Sequence, residues 1–271
     1  MVRRARLDAE LVRRGLARSR DHAAELVAQR RVRVHGVIAT KPATGVDADT
    51  PLLVGAKETE PEWVSRGARK LLGALDNLIM AGPVVAGRRC LDAGASTGGF
   101  TEVLLHRRAR EVVAVDVGYG QLAWSLRTDQ RVRVHDRTNV RTLQPEDIGG
   151  TVDLTVADLS FISLRLALPA LVGCTRLDGD LLPMVKPQFE VGRERLGAGG
   201  VVRDPALRAQ AMLDVVTVAA DLGLWLVDAT ASPLPGPSGN VEYFLWLRRD
   251  PADPRRSAEE LVRAAVQEGP Q

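Results

Sequence analysis

Four polar side chains spread along the chain are of the right type for acid–base work on a hydroxyl: Lys70, Asp158, Lys186 and Glu242. A hydroxyl is a poor nucleophile and must lose its proton as it attacks, so an amine oriented by carboxylates is a workable set. Lys186 carries the clearest signal. In Lys186-Pro-Gln-Phe-Glu190 it ends the apolar run Leu181-Leu-Pro-Met-Val185, which leaves its amine at a strand's carboxyl edge. Lys186 is therefore the candidate base, Lys70 a neighbouring charge, and Asp158 and Glu242 the groups that hold its orientation. Lys70 lies about 200° from Ala68 on the helical wheel, off the apolar stripe, and by pattern alone reads as a solvated lysine. Phe161, just after Asp158, reads equally as core or as a platform for a stacked base.

A second stretch, Arg89-Cys-Leu-Asp-Ala-Gly-Ala-Ser-Thr-Gly-Gly-Phe100, has the order strand, glycine-rich turn, helix. Gly94, Gly98 and Gly99 match neither the Gly-x-Gly-x-x-Gly of dinucleotide sites nor a P-loop, which needs a Lys. Asp92 would be a poor neighbour for a pyrophosphate and a good one for a cation. The strand Glu111-Val-Val-Ala-Val-Asp116 ends in an acid 22 positions after Gly94, where a doubly wound sheet offers a carboxylate to ribose hydroxyls. S-adenosylmethionine has a ribose, a cationic sulfonium and an amino acid tail, and no phosphate. Here the chain resembles the class I methyltransferases, with Asp92 to Gly99 as their first motif and Asp116 as their second. The resemblance implies that Asp92, Gly94, Ala95, Ser96, Thr97, Gly98 and Asp116 hold this cofactor. Tyr119 packs against the cofactor or the core, and Asp136 meets the adenine, with Asn139 the alternative.

The elements that must position these groups follow from periodicity. Ser65 caps a helix whose inward stripe is Ala68, Leu71, Leu72, Leu75, Leu78 and Ile79. Strands are expected up to Leu91 and at 111–116, 131–135, 152–157, 180–185, 224–227 and 241–247. Seven strands alternating with helices or loops make an α/β, doubly wound, Rossmann-like sheet with ligands at the strands' carboxyl ends. Residues 190–204 read as a loop that closes over substrate, 231–240 as a stiff turn, and 257–266 as a short helix.

The N-terminal part has a different character. Residues 1–60 hold 12 Lys or Arg against 8 Asp or Glu, whereas the rest holds 25 against 26, so the basic excess is N-terminal and suits a polyanion. Leu7 and Leu11 share a helical face before Gly15, Ser19 caps a helix from Arg20 to Gln29, and Val32-Arg-Val-His-Gly-Val-Ile38 reads as a tight hairpin. The run from Arg6-Leu-Asp8 to Lys41-Pro42 resembles the S4-type RNA-binding domain, except that Arg30 or Arg31 replaces the glycine usual before the hairpin. That resemblance implies a small α+β module, with Arg3, Arg4, Arg6, Arg18, Arg20 and Lys41 contacting RNA phosphates. The expected organisation is an S4-like domain over 1–59, a linker over 60–64 and a methyltransferase domain over 65–271.

With Trp63-Val-Ser-Arg-Gly67, Arg137-Thr-Asn-Val140 and Ser238-Gly-Asn-Val-Glu242, the Lys-Asp-Lys-Glu set resembles that of the FtsJ-like RNA ribose methyltransferases, and the whole chain the TlyA family. That resemblance implies 2′-O-methylation of a cytidine-type nucleotide in 16S or 23S ribosomal RNA, with ribosomal RNA or subunits as partner and no obligate protein partner. A non-catalytic ribosome-assembly factor that keeps the cofactor fold is the alternative from a different class. Members of the TlyA family also carry the name haemolysin, and a sequence with no membrane span and no amphipathic repeat gives that reading no physical support. The Asn-Pro-Pro-Tyr motif of exocyclic amine methylation is absent where Asp158-Leu-Ser-Phe161 stands. No signal-peptide pattern follows Met1, so a cytoplasmic protein is expected, and four His and two Cys without ligand spacing predict no metal site.

Overall fold

The computed structural model describes residues 5–28, 31–47, 49–55, 63–78, 82–250 and 256–269. The chain divides into two units, Met1–Glu62 and Trp63–Gln271. In the first, β1 (Ala5–Arg6) leads into α1 (Leu7–Arg13), followed by α2 (Arg20–Ala28), β2 (Val32–Val34), β3 (Val37–Ile38), β4 (Gly45–Val46) and β5 (Leu52–Val54). The expected hairpin is present: Val34 pairs with Val37, and His35 and Gly36 both take positive φ (50° and 81°), as a two-residue turn requires. Strands β1 and β4 pair with each other and β5 adds to β2. Leu7, Leu11, Ala23, Leu26, Val27, Val32 and Val46 form the core of this unit.

The second unit contains α3 (Arg66–Asn77), β6 (Arg89–Ala93), α4 (Gly99–His106), β7 (Glu111–Val115), α5 (Trp124–Arg127), β8 (Val132–His135), β9 (Val152–Ala157), α6 (Leu164–Cys174) and β10 (Thr175–Val185). After these come α7 (Pro187–Glu190), α8 (Pro205–Asp221), β11 (Trp225–Ala231), β12 (Tyr243–Arg248) and α9 (Ala258–Glu268). The seven strands lie in the order β11-β12-β10-β9-β6-β7-β8, and β12 alone runs antiparallel to its neighbours. From β6 the chain moves outward to β7 and β8, then returns to β9 on the other side of β6. That reversal opens a crevice at the carboxyl ends of β6 and β9.

Both faces of the sheet are covered, so the central strands are largely apolar, Asp92 of β6 and Thr155 of β9 being buried polar exceptions. Leu91, Ala93, Val113 and Val115 point into the core shared with α6, α8 and α9, while Cys90, Val112, Ala114, Leu154 and Val156 point into the core under α3 and α4. Several strand limits differ from the sequence reading, with β11 running on to Ala231 and β12 starting at Tyr243, after Glu242. β6 continues through Asp92 to Ala93, and β10 begins at Thr175, because Arg176 to Asp178 are exposed and carry no apolar pattern. Ser65 stands at the N-cap of α3 without a side-chain capping bond, and Ile79 lies outside the described residues.

Leu154 is fully buried on the central strand β9. Leu154→Ala is expected to lower unfolding stability by about 2–5 kcal/mol in urea titrations. A loss below about 1 kcal/mol would contradict the packing described.

Candidate active site and nucleic-acid surface

The four reactive candidates meet at the carboxyl edge of the sheet as two ion pairs. The off-stripe position of Lys70 on α3 does not expose it. Instead, the side chain is buried and its Nζ donates to Glu242 Oε2 at 2.5 Å, which corrects the reading of a solvated lysine. Lys186 Nζ lies 2.6 Å from Asp158 Oδ1 and donates to Ser160 Oγ at 2.9 Å. The two carboxylates are thus divided between the lysines, and Glu242 does not orient Lys186 directly. Each carboxylate balances the charge of one buried lysine, as burial of a charge demands.

These pairs separate two cavities. One, of about 280 Å³, is lined by Lys70 and Asp158 together with Gly94, Ala95, Ser96, Thr97 and Gly99, and by Ser65 to Gly67. The other, of about 590 Å³, is lined by Lys186 and Glu242 together with Ser160, Phe161, Gln188, Phe189 and Asn240. Each ion pair has one member in each cavity, and Pro237 lines both.

The glycine-rich turn is shaped by the protein's own packing. A Cβ on Gly94 (φ 84°) would stand 2.4 Å from the Asp158 carbonyl oxygen, and one on Gly99 2.2 Å from Ser65 Oγ. Gly98 (φ 100°) faces Leu122 and Leu126 and does not line the small cavity. Asp116 binds back to this turn, accepting from Ser96 N at 2.8 Å and from Gly118 N at 2.7 Å.

Asp92 is wholly buried within β6 and lines neither cavity. Thr101 Oγ1 donates to its Oδ2 at 2.7 Å, and its Oδ1 has no partner among the described residues. Burial pushes its carboxyl up to about 7, and the charges of Asp158 and Asp116 add to the shift. Three acids therefore crowd the turn after β6. Asp158 is paired with Lys186 and Asp92 keeps its proton up to about 7, so the negative charge beside this cavity of small residues comes mainly from Asp116.

Tyr119 and Asp136 do not line either cavity. Tyr119 is two-thirds exposed, under the guanidinium of Arg137 at 4.3 Å, and so is not core. Asp136 Oδ2 accepts from Arg127 at 2.9 Å and from Gly120 N at 3.3 Å, and Arg127 holds its carboxyl below the usual range. Asn139 caps a short turn through Arg141 N. Phe161 is 93% exposed with φ of 63°, its ring centroid 5.5 Å from that of Phe189, which rules out a core role.

Three polar residues were not assigned roles from the sequence. Ser160 contacts Lys186. Glu190 is buried and accepts from Ser163 Oγ at 2.5 Å and Leu164 N at 2.7 Å, which ties the loop after β9 to α7. Asn240 is buried, accepts from Val202 N and donates to Gly200 O, both at 2.9 Å, so the 190–204 segment is pinned to the turn before β12. Nothing in the local pattern distinguishes these residues from loop polarity.

In the small unit, Arg6 and Arg20 both bind the buried Asp8, and Arg6 above all holds that carboxyl far below the usual range. Both arginine side chains remain more than half exposed. Arg18 and Lys41 are exposed, and Arg3 and Arg4 lie outside the described residues.

An FtsJ-like methyltransferase model matches residues 63–249 and an S4 domain model residues 5–50. The chain is 63% identical to "16S/23S rRNA (cytidine-2'-O)-methyltransferase TlyA" of Mycobacterium tuberculosis over 100% of both chains. It is 34% identical to "Hemolysin A" of Brachyspira hyodysenteriae over 88% of this chain and 98% of the other. A solved structure of a hemolysin-named protein from Streptococcus thermophilus superposes with a TM-score of 0.70 at 36% identity, covering 99% of this chain and 98% of that one.

The raised carboxyl of Asp92 makes stability depend on pH. Between its ordinary value of 3.8 and about 7 the folded state keeps a proton that the unfolded state has lost, so stability falls as pH rises through that window. Asp92→Asn should remove a decline on the order of a few kcal/mol. Urea titrations of both proteins at pH 4 and pH 8 check this, and parallel pH dependence would contradict it.

Proposed function

Because the chain belongs to the FtsJ-like methyltransferase family, we propose that it methylates the ribose 2′-hydroxyl of a cytidine in 16S or 23S ribosomal RNA, taking the methyl group from S-adenosylmethionine. The observation that carries this reading is the pair of ion pairs, each with one member in the small cavity and one in the large. Such an arrangement lets a donor on one side meet an acceptor hydroxyl on the other.

Gly94 to Thr97 and Asp116 are the residues assigned to hold the cofactor, with Asp92 buried behind the turn. S-adenosylmethionine, when bound, supplies a methyl group on a positive sulfur that keeps the S–C electron pair as the methyl leaves. Lys186, in its free-amine form, takes the hydroxyl proton, and Asp158 holds the ammonium that results. Lys70 and Glu242 form the second wall and fix the approach of the ribose. Phe161 and Phe189 present an aromatic surface to the base of the acceptor nucleotide. Arg6, Arg18, Arg20 and Lys41 of the S4 domain dock structured RNA through its phosphates. The hemolysin names belong to relatives, and among the described residues no helix is long and apolar enough to cross a membrane.

Incubation with tritiated S-adenosylmethionine and separately purified 30S and 50S subunits lacking the modification should label rRNA, with reverse transcription at low dNTP locating the ribose. Lys186→Ala should reduce labelling by about 10²–10⁴-fold while RNA and cofactor binding persist. Absence of label with intact binding would favour a non-catalytic assembly factor.

A further inference from the structure

We propose that Ser160 is a positioning residue for the methyl-transfer step, acting through Lys186 by fixing which way its amine lone pair points. This inference rests on the assignment of Lys186 as the base. Lys186 Nζ donates a hydrogen bond to Ser160 Oγ at 2.9 Å and lies 2.6 Å from Asp158 Oδ1 as an ion pair without hydrogen-bond alignment, and both Lys186 and Ser160 line the large cavity. A free amine has two N–H bonds and one lone pair. With one N–H fixed on Ser160 Oγ and the nitrogen held beside the Asp158 carboxylate, the lone pair is directed toward the open cavity and the acceptor hydroxyl. In the transfer, the O–H bond of the ribose breaks, the proton passes to Nζ, and the oxygen's electron pair is free for the methyl carbon. Nζ then returns its proton to water.

The fold holds Ser160 in place from both sides. Asp158 N donates to Ala93 O at 3.0 Å, anchoring the start of the loop on β6. Glu190 anchors its end through Ser163 and Leu164, and Phe161, between the two anchors, sits in the left-handed region at φ 63°. A non-glycine residue in that region is strained and persists because the surroundings determine it. The charged groups facing Lys186 are Asp158 after β9 and Glu242 before β12, the latter already engaged by Lys70 from α3. Glu190, on α7, is turned into the start of α6. Ser160 is thus the neutral acceptor beside the amine.

Removing the hydroxyl should have two effects. The amine can rotate, so the rate of the chemical step falls by about 5- to 30-fold; the ammonium also loses an acceptor, which moves the midpoint of the pH–rate profile down by about half to one pH unit. The test is single-turnover methylation of ribosomal subunits lacking the modification, from pH 6 to 10, with wild type, Ser160→Ala, Ser160→Thr and Lys186→Ala. The inference predicts that Ser160→Ala lowers the maximal rate and shifts the midpoint, with cofactor affinity and KM for RNA within twofold of wild type, and that Ser160→Thr restores both. An unshifted midpoint with a rate within twofold, or a Ser160→Thr variant as impaired as Ser160→Ala, would overturn it. Lys186→Ala retaining full activity would instead overturn the assignment of the base. Equal cofactor affinity in all four proteins identifies them as folded.

Discussion

Burying a lysine is costly unless an anion stands beside it, and the carboxyl edge of this sheet contains two such pairs. Lys70 comes from α3, Asp158 from the end of β9, Lys186 from the end of β10 and Glu242 from the entry to β12. Removing one member of the fully buried Lys70–Glu242 pair would leave a buried charge uncompensated, at roughly 3–5 kcal/mol. Such a penalty is a large fraction of a domain's total stability. The chemistry and the integrity of the sheet are therefore coupled: the strands must take the observed order for the charges to be satisfied.

The turn after β6 follows from a second constraint. It passes so close to Asp158 and Ser65 that Cβ atoms at Gly94 and Gly99 cannot be accommodated, and it gathers the carboxyls of Asp92, Asp116 and Asp158 within electrostatic reach of one another. The glycines thus serve the protein's own close packing first, and the cavity of small residues results.

The small unit handles charge differently. Its buried acids are each clamped by arginines: Asp8 by Arg6 and Arg20, and Glu10 by Arg13 and Arg14. Arg14 also holds the carbonyls of Thr50 and Asp47 and so ties α1 to the later strands. Arg6, Arg13 and Arg20 keep more than half of their side-chain surface exposed while paired. One set of arginines thereby orders the module and presents a basic face.

Much of this was legible in the residues because it depends on local period and local punctuation. The run from Arg89 to Phe100 reads as strand, turn and helix, His35-Gly36 reads as a hairpin, and apolar or alternating runs mark the seven strands. Polar residues at the ends of those runs were therefore recognisable as belonging to one edge. Strands β1, β4 and β5, of two or three residues, are too short for any period to appear. Partner choice was equally invisible. Lys70 and Glu242 are 172 positions apart, and a helical wheel reports only which way a side chain leaves its own helix. That Lys70 is buried, that Asp92 sits inside a strand and that Ser160 touches Lys186 are facts of strand order and close packing. They exist only once segments remote in sequence have been brought within a hydrogen bond's length.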